Sequence, residues 1–395
     1  MTKKTKNITE GFLLAIGEIF LKSEGVQKLL MQRLVNNISF FLKKENINFS
    51  ILNLRTRIFI KSKPRTTRVQ GKKIINILKK TFGLVWFSQV YFLENYQLKD
   101  VCLFVKENYS KWIKEKESFA LRIKKDSNIS EKTNEIIDNI AKEIKRKVNL
   151  NKPQKEIFIE RRKLGWFIYF KKQKGAGGLP LGSQGKVLVL TSGGIDSPVA
   201  SWLVAKRGAE NVWIHFHSFP IVSKKSIEKV KKLADAFLNL QPRLKIYFVA
   251  FGEIQQKIKN NVPAKYRILL YRRAMLKISQ KIAKGENCRA LATGESLGQV
   301  SSQTLVNLEI IEEAVKIPVL RPLISLDKEE IINMAKELEV FDISILPQED
   351  CCSLFVPSHA TAHGNMKMVK DFEKELKLGT LLTKAMKRAE IDIHN

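Results

Sequence analysis

The chain has 395 residues, a hydrophobic fraction of 44% and a formal net charge of +31. This length predicts two or three domains, and the hydrophobic content is typical of globular rather than disordered protein. No apolar run approaches the roughly 18 residues that span a bilayer, and no adequate signal core follows the basic N-terminus, so we expect neither a membrane location nor secretion. Four cysteines are too few for a disulfide framework, which fits the reducing cytoplasm.

The positive charge is concentrated in the first half of the chain. Residues 1–174 contain 39 Lys and Arg against 16 Asp and Glu, whereas residues 175–395 contain 31 against 23. No acid lies between Glu45 and Glu94, a stretch that holds ten basic residues. The asymmetry predicts a nucleic-acid partner for the first half. A Lys-rich composition imposed by AT-rich codons is the alternative, but it does not explain the difference between the halves.

The first half shows strand and helix patterns in alternation. Residues 12–20 are mostly apolar, residues 26–43 have helical spacing, and residues 51–60 alternate as hairpin strands do. The patterns that follow predict a helix around 74–78, a strand at 85–93, a helix at 98–114, a strand at 119–123, a helix at 131–148 and a hairpin formed by 156–160 and 166–170. Together they indicate an α+β arrangement.

A glycine-rich stretch at 172–186 separates the two halves. It contains five glycines and one proline, which mark a loop or linker. Beyond it, short apolar strands alternate with helical patterns, and these strands are at 187–190, 212–216, 245–251 and 290–293. The alternation predicts an α/β fold with a doubly wound parallel sheet and helices on both faces.

A phosphate-binding loop is the most specific chemical signal. The strand 187–190 runs into SGGIDS at 192–197, and a helix follows. The glycines let the backbone approach a ligand, and the N–H groups of a helix N-terminus favour an anion. We expect Ser197 at the N-cap, Pro198 at the first helical position, and KRG at 206–208 at the helix end. A tight turn without a ligand is the alternative.

The loop resembles the PP-loop of ATP pyrophosphatases, which cleave ATP between the α- and β-phosphates; no Walker-type Gly-Lys-Ser/Thr follows the glycines. Further motifs come in order, namely HFHSFP at 215–220, YRRAM at 271–275, TGESLGQ at 293–299, SQT at 302–304, RPLISLDK at 321–328 and EDCC at 349–352. In this order and spacing they resemble the tRNA 4-thiouridine sulfurtransferases, a family also linked to thiamine thiazole synthesis. The resemblance covers essentially the whole chain.

The resemblance implies a division of the chain into four parts. Residues 1–69 resemble the family's ferredoxin-like domain, residues 70–172 its RNA-binding THUMP domain, and residues 187–395 its PP-loop ATP pyrophosphatase domain. Residues 173–186 form the Gly-rich linker. Some family members carry a rhodanese-like domain with a second active cysteine after the PP-loop domain, and we expect this chain to lack it.

The resemblance also implies which residues bind ATP, and these are Leu190, Thr191, Ser192, Gly193, Gly194, Asp196, Ser197, His215, Phe216, Arg272, Gly294 and Gln303. His215 and Phe216 would hold the adenine side, partly through backbone groups. Asp196 would orient the phosphates or Mg²⁺, and Lys328 would be the cation at the reacting phosphate. The alternatives are a solvent-exposed helix face for Arg272 and Lys328, and a hydrogen-bonded core histidine for His215.

The resemblance assigns the sulfur carrier to Cys351, with Cys352 as the second choice and the nearest candidate to resolve the persulfide. AMP on uridine O4 makes this oxygen a good leaving group, and the terminal sulfur of a cysteine persulfide can then attack C4. Glu349 and Asp350 would raise the pKa of a neighbouring thiol, so a thiolate there needs a nearby cation. Two buried, inert thiols are one alternative.

A zinc site is another alternative for this segment. Cys351, Cys352, His359 and His363 include a His-x3-His spacing that zinc can use. Adjacent cysteines, however, are awkward ligands of one tetrahedral ion, and the usual Cys-x2-Cys is absent.

The sequence thus predicts a cytoplasmic, ATP- and Mg²⁺-using enzyme that captures tRNA through backbone and shape. The resemblance adds uridine 8 as the target, a cysteine desulfurase as sulfur donor, and a homodimer. One rival is a lysidine-forming enzyme or an amidotransferase, although no glutaminase-like cysteine is visible. The other is a non-catalytic RNA-binding protein, against which Asp196 and Lys328 argue.

Overall fold

The computed structural model describes residues 7–54, 56–62, 67–347 and 361–395. The chain divides into two compact units, Met1–Gly178 and Leu179–Asn395, and this division falls inside the glycine-rich stretch 172–186. Cys351 and Cys352 lie outside the described residues, as does His359 of the zinc alternative. Within the described ranges, no helix is both long and apolar enough to cross a membrane.

Within its described residues, the first unit contains one sheet and four α-helices. Its strands are β1 (Asn7–Ile16), β2 (Phe49–Asn53), β3 (Arg57–Ser62), β4 (Leu84–Glu94), β5 (Phe119–Lys125), β6 (Lys155–Arg162), β7 (Gly165–Tyr169) and β8 (Gln173–Lys174). Its helices are α1 (Glu24–Lys44), α2 (Arg68–Lys80), α3 (Leu98–Trp112) and α4 (Thr133–Lys142). The strand order is β2-β3-β1-β4-β7-β6-β5, with β8 paired to β4.

The first six elements form a βαββαβ arrangement with the strand order β2-β3-β1-β4, as in ferredoxin-like domains. Strand β4 pairs antiparallel with β1 along the whole of β1. The boundary predicted at residue 69 falls in the first turn of α2, inside this arrangement. The sequence places a break there because the helical pattern restarts, whereas the pairing with β1 is not visible in the local pattern. The four-part division as a whole stays a prediction.

The first predicted strand, 12–20, differs from the structure at both ends. Strand β1 begins earlier, at Asn7, and stops at Ile16, after which Glu18–Leu21 form a 3-10 turn. Gly17 lies at the change of direction, and a Cβ there would be 2.6 Å from Val85 Cγ2. Position 17 therefore has no room for a side chain, and the chain leaves the strand there although apolar residues continue.

The helix predicted at 131–148 is shorter in the structure, because α4 ends at Lys142. The chain beyond it runs beside β5, where the Phe119 N–H donates to the Lys147 carbonyl at 2.9 Å and the Asn149 N–H donates to the Phe119 carbonyl at 2.9 Å. Pairing with a strand therefore replaces the last helical turns.

A buried carboxylate, Glu160 on β6, organises one region of the first unit. Its side chain is 1% exposed, and it accepts hydrogen bonds from Arg57 at 3.1 Å, from Arg162 Nε at 3.0 Å and from the Tyr169 hydroxyl at 3.1 Å. Burial opposes ionisation of Glu160, but the guanidinium groups of Arg57 and Arg162 outweigh it and hold its pKa below the usual value. The cluster, Arg57–Glu160–Arg162–Tyr169, is called the Glu160 cluster below.

The second unit contains a six-stranded sheet surrounded by helices. Its strands are β9 (Lys186–Leu190), β10 (Glu210–His217), β11 (Leu244–Ala250), β12 (Cys288–Ala292), β13 (Val319–Leu320) and β14 (Glu390–His394). Its helices are α5 (Asp196–Lys206), α6 (Lys225–Phe237), α7 (Gly252–Asn261), α8 (Arg267–Gly285), α9 (Leu305–Glu312), α10 (Lys328–Glu337), α11 (Phe341–Ser344), α12 (Met366–Leu376) and α13 (Gly379–Lys387).

This sheet confirms the predicted α/β fold. Its order is β13-β12-β9-β10-β11-β14, and all pairs are parallel except that of β11 with β14. Three successive residues of the central strand, Val187, Leu188 and Val189, are each at most 5% exposed, so both faces of the sheet are covered. In such a sheet, ligands bind beyond the carboxyl ends of the strands, which is where β9 meets the SGGIDS loop.

Candidate active site

The SGGIDS loop connects β9 to α5 through a tight turn. Gly193 has φ of +81°, in the left-handed region that favours glycine. Ser192 stabilises the turn twice: its Oγ accepts from the Gly194 N–H at 3.3 Å, and its own N–H donates to Ser197 Oγ at 3.3 Å. The loop therefore presents the start of α5 to the space beyond β9.

The predicted N-cap is wrong. Helix α5 begins at Asp196, with Ile195 at the N-cap and no side-chain capping bond. Ser197 does not cap, because its hydroxyl accepts from the loop backbone, and Pro198 is the third helical residue rather than the first. The predicted helix end is confirmed: α5 stops at Lys206, and Gly208 follows with φ of +92°.

A cavity of about 240 Å³ lies beyond the end of β9. Nine of the predicted ATP-binding residues line it, and these are Leu190, Thr191, Ser192, Asp196, Ser197, Phe216, Arg272, Gly294 and Gln303. The cavity is also lined by residues for which no role was predicted, and these are Met275, Leu276, Thr293, Glu295 and Ile311. Gly193 and Gly194 shape the loop without lining the cavity, and His215 lies away from it.

Asp196 and Lys328 form an ion pair at this site. Lys328 Nζ donates to Asp196 Oδ1 at 2.6 Å, and Gln299 Nε2 donates to Asp196 Oδ2 at 3.2 Å. Lys328 is held at the start of α10 by a capping box, in which Asp327 accepts from the Glu330 N–H at 2.8 Å. Lys328 therefore begins a helix but contacts the phosphate loop rather than solvent alone.

Gly294 places the chain after β12 directly against the phosphate loop. A Cβ at this position would lie 3.0 Å from the Asp196 carbonyl carbon and 3.1 Å from the Ser197 nitrogen. Real Cβ atoms rarely approach backbone this closely. A side chain at position 294 would therefore push the two walls of the cavity apart.

Arg272 on α8 is held by a buried carboxylate. It donates to Glu295, which is 6% exposed and also accepts from Arg321 Nε at 2.9 Å and Thr293 Oγ1 at 2.8 Å. Arg321 in turn donates to Glu312 at 2.5 Å. Arg272 is therefore fixed in the cavity wall and does not lie on a solvent-exposed helix face. The set Arg272–Glu295–Arg321–Thr293 is called the Glu295 cluster below.

His215 is a hydrogen-bonded core histidine, which is the alternative to its predicted role in holding the adenine. It is 2% exposed, and its Nδ1 lies 2.8 Å from the Thr191 carbonyl while its Nε2 lies 3.1 Å from Ser226 Oγ. Burial lowers its pKa to about 4, so the ring is neutral at pH 7. Since a carbonyl only accepts, Nδ1 carries the proton. The side chain supports the strand before the loop and does not enter the cavity.

Gln303 supplies a polar group that the described residues leave unsatisfied. The residue is 6% exposed and lines the cavity, and its Oε1 is buried without a hydrogen-bond partner among them. Buried polar atoms normally have partners, so this amide is available to a ligand.

The described thiols are poorly suited to sulfur transfer. Burial raises the pKa of Cys288 to about 12, and burial with the nearby Glu143 charge raises the pKa of Cys102. Both therefore stay protonated near neutral pH, whereas the thiolate is the nucleophile. Among the parts of the chain that the structure describes, no group of three or more His, Cys, Asp or Glu is placed to hold a metal ion.

The parallel sheet, the glycine loop at the end of its central strand, the cavity lined by Asp196 and Arg272, and the pairing of Lys328 with Asp196 define a nucleotide-binding enzyme domain of the PP-loop class. A family profile described as “Thiamine biosynthesis protein (ThiI)” matches residues 182–378, and a “ThiI ferredoxin-like domain” profile matches residues 12–88.

Curated relatives agree with this class. A “Probable tRNA sulfurtransferase” of Geobacillus kaustophilus is 36% identical over 386 residues, covering 96% of this chain and 94% of that protein. The protein of the same name from Thermus thermophilus is 47% identical over 221 residues, which are 56% of this chain and 54% of the relative. The Brevibacillus brevis relative is 42% identical, with 61% of its length covered. The chain belongs to the ThiI family of tRNA sulfurtransferases.

The solved structures show the same fold. The crystal structure of a 4-thiouridine synthetase in complex with RNA and bound ATP superposes with a TM-score of 0.85 at 29% identity, covering 98% of this chain and all of that one. A Pyrococcus horikoshii protein has a TM-score of 0.63 at 22% identity over 84% of this chain and 99% of its own.

Proposed function

We propose that this protein converts a uridine of tRNA to 4-thiouridine, with ATP cleaved to AMP and pyrophosphate. The observation that carries the proposal is that Asp196 and Arg272 line the cavity beyond β9, with Lys328 ion-paired to Asp196. Support comes from relatives named tRNA sulfurtransferase that align along almost their whole length, and from the 4-thiouridine synthetase structure that contains RNA and ATP.

The cavity suits a nucleotide triphosphate in its chemistry. The start of α5 offers backbone N–H groups to phosphate oxygens, and Arg272 and Lys328 add two cations. Mg²⁺ generally binds through one or two carboxylates together with substrate phosphates, and Asp196 is the carboxylate placed for this. Asp196, which accepts hydrogen bonds from Lys328 and Gln299, would hold such an ion beside the phosphates.

The first chemical step joins AMP to uridine O4. The oxygen attacks the α-phosphorus of ATP, the bond to the β-phosphate oxygen breaks, and pyrophosphate leaves. Lys328 is placed to stabilise the negative charge that develops on the phosphates. A cation that is already held in position before the reaction stabilises the transition state more effectively. The product is an adenylated uridine, whose C4 now carries a good leaving group.

The second step transfers sulfur. The terminal sulfur of a Cys351 persulfide attacks C4, AMP leaves, and a second thiol then attacks Cys351 Sγ to release 4-thiouridine. Cys352 is the candidate for that thiol, the resulting disulfide being reduced by an external thiol. The raised pKa values of Cys102 and Cys288 support this assignment, because neither forms a thiolate readily.

The remaining parts of the proposal concern partners. The basic first half would hold tRNA through its backbone and shape, with residues 70–172 acting as a THUMP domain. We further propose uridine 8 as the target, a cysteine desulfurase as sulfur donor, a homodimer, a cytoplasmic location and a second role in thiazole synthesis. The comparison of charge between the halves supports the tRNA assignment.

The test is mass spectrometry of nucleosides from unmodified tRNA incubated with the protein, ATP-Mg²⁺, a cysteine desulfurase and cysteine. We expect 4-thiouridine with the wild type and with the control Cys102→Ala, and none with Cys351→Ala. Full activity of Cys351→Ala would show that Cys351 is not the sulfur carrier, and Cys352 would be tested next. Cleavage of ATP to AMP and pyrophosphate without a thionucleoside would contradict the sulfur chemistry while leaving nucleotide binding intact.

A further inference from the structure

A buried amide, Asn307 on α9, joins three backbone groups from two distant parts of the second unit. The residue is 0% exposed. Its Nδ2 donates to the Ser301 carbonyl at 2.7 Å and to the Thr361 carbonyl at 2.9 Å, and its Oδ1 accepts from the Gly364 N–H at 2.9 Å. The amide is thus fully used for holding main chain to main chain.

Other contacts fix the same segment, 361–364. Thr304 Oγ1 donates to the Ala362 carbonyl at 2.7 Å, and the Thr361 N–H donates to the Lys265 carbonyl at 3.2 Å. A Cβ at Gly364 would lie 2.7 Å from Leu269 Cδ1 and 2.8 Å from Asn307 Oδ1. The segment is therefore seated on α8 and α9 with no room for a side chain at position 364.

Each of the two segments that Asn307 joins is connected along the chain to a residue with a role in the proposed reaction. Ser301 begins the 3-10 turn Ser301–Gln303, whose last residue lines the nucleotide cavity. Thr361 follows Cys351 by ten residues in the sequence. One buried side chain therefore ties the turn that carries Gln303 to the chain that follows the proposed sulfur carrier.

The chain that precedes Cys351 has an anchor of its own. Lys229 on α6 is 5% exposed, and its Nζ donates to the Leu346 carbonyl at 2.7 Å. A buried ammonium needs such acceptors, since desolvation of an unsatisfied charge is costly. The described chain is thus anchored on both sides of the segment that contains the two adjacent cysteines.

We propose that Asn307 is a positioning residue for the sulfur-transfer step. It holds the chain that follows Cys351 in a fixed position relative to the nucleotide cavity. The proposal rests on the proposed role of Cys351 as sulfur carrier. Asn307 touches no reacting atom; it acts through the 361–364 segment and the Ser301–Gln303 turn. Because a misplacement of about 1 Å in a reacting group can cost roughly 100-fold in rate, loss of these three hydrogen bonds should appear mainly in sulfur transfer.

The experiment measures three quantities on the full-length protein with tRNA. They are persulfide loading at Cys351 by intact mass, pyrophosphate release with ATP, and single-turnover formation of 4-thiouridine from preloaded protein. For Asn307→Ala we expect persulfide loading to be unchanged, pyrophosphate release to fall by less than about 5-fold, and 4-thiouridine formation to fall about 10- to 100-fold.

Two further variants act on the segment from its other side. Gly364→Ala inserts a Cβ into the contact with Asn307, and Thr304→Val removes the bond to Ala362; each should lower 4-thiouridine formation and leave pyrophosphate release as in the wild type. Thr304→Ser keeps the hydroxyl and should restore the rate. Glu309→Ala, at an exposed position of the same helix, is the matched control and should behave as wild type.

The outcomes separate this inference from the proposed function. Wild-type thiolation rates in Asn307→Ala and Gly364→Ala would overturn the inference while the function stands. Equal losses of pyrophosphate release and thiolation in all variants would show that Asn307 only stabilises the fold. Absence of 4-thiouridine with the wild type, or full activity of Cys351→Ala, would instead remove the sulfur-carrier role, and this inference with it.

Discussion

The two units each contain a buried glutamate held by two arginines and a hydroxyl group, yet the two clusters differ in how the arginines are used. In the Glu160 cluster every guanidinium nitrogen of Arg57 and Arg162 donates to the protein, with Thr56 and Asp126 as further acceptors. In the Glu295 cluster Arg272 donates to Glu295 through one nitrogen and has no other hydrogen-bond partner among the described residues.

This difference distinguishes a structural cluster from one that can bind. Buried donors are normally satisfied, so a closed network such as the Glu160 cluster has nothing to offer a ligand. Arg272 is oriented by Glu295 and faces the cavity with unused N–H groups, which are the donors that recognise phosphate. Arg272 therefore differs from Arg57 and Arg162 in the donors that it leaves for a ligand, although all three arginines pair with a buried glutamate.

The largest effect should come from opening the closed cluster. Glu160→Ala removes the carboxylate that pairs with the buried guanidinium of Arg57 and leaves Arg162 with Asp126 alone, which costs about 3–5 kcal/mol. Hydrogen–deuterium exchange with mass spectrometry should show faster exchange in β6 and β7, with the KM for ATP unchanged. The control is Glu156→Ala, also on β6, whose half-exposed pair with Arg122 should contribute less than about 1 kcal/mol. Equal effects of the two substitutions would contradict the structural role of Glu160.

A smaller effect, on binding rather than stability, is expected from the open cluster. Arg272→Ala should lower kcat/KM for ATP in tRNA-dependent pyrophosphate release about 10- to 100-fold, equivalent to roughly 1.4–2.7 kcal/mol. The midpoint of thermal unfolding should change little, because Glu295 keeps Arg321 as a partner. Lys281→Ala, at an exposed position of α8, serves as the control. A loss of stability with unchanged ATP kinetics would show that Arg272, like Arg57, has only a structural role.

The smallest effect is a pH dependence of the stability that the closed cluster contributes. Because the pKa of folded Glu160 lies below its usual value of 4.5, the unfolded state binds the proton more tightly. The stabilisation is present above about pH 4.5 and is lost as the pH falls through the folded-state pKa. The difference in unfolding free energy between wild type and Glu160→Gln should therefore shrink between pH 7 and pH 3. A difference that is constant over this range would contradict ionisation of Glu160.

The parts of the site that are contiguous in sequence were predictable. The SGGIDS loop follows an apolar strand and precedes a helix, so its place at the end of β9 could be named from the pattern, whereas the nine predicted residues of the cavity wall came from the resemblance to the family. The N-cap was not predictable, because Ser197 before Pro198 has the local signature of a cap while its hydroxyl bonds the loop backbone. The local sequence cannot show which nearby backbone group the Ser197 hydroxyl will bond.

Features that depend on long-range contacts were missed. Glu295 lies within the TGESLGQ motif, but its partners Arg272 and Arg321 are 23 and 26 residues away, and nothing in the spacing indicates that they meet. The same holds for the pairing of β4 with β1, which extends the first βαββαβ arrangement past the boundary predicted at residue 69. His215 was ambiguous because a histidine in an apolar strand suits either a core or a ligand site, and only its contacts decide.

Strand β14 has a consequence for the synthesis of this protein. It pairs with β11, which is the outer parallel strand of the sheet, and its residues 390–394 come about 140 positions later in the sequence. Until the ribosome has released them, the strands and loops of the cavity can be complete while β11 presents an unpaired edge, a surface prone to pairing with other chains. A nascent chain stalled before residue 390 would thus be expected to need chaperone protection even though its nucleotide site is already encoded.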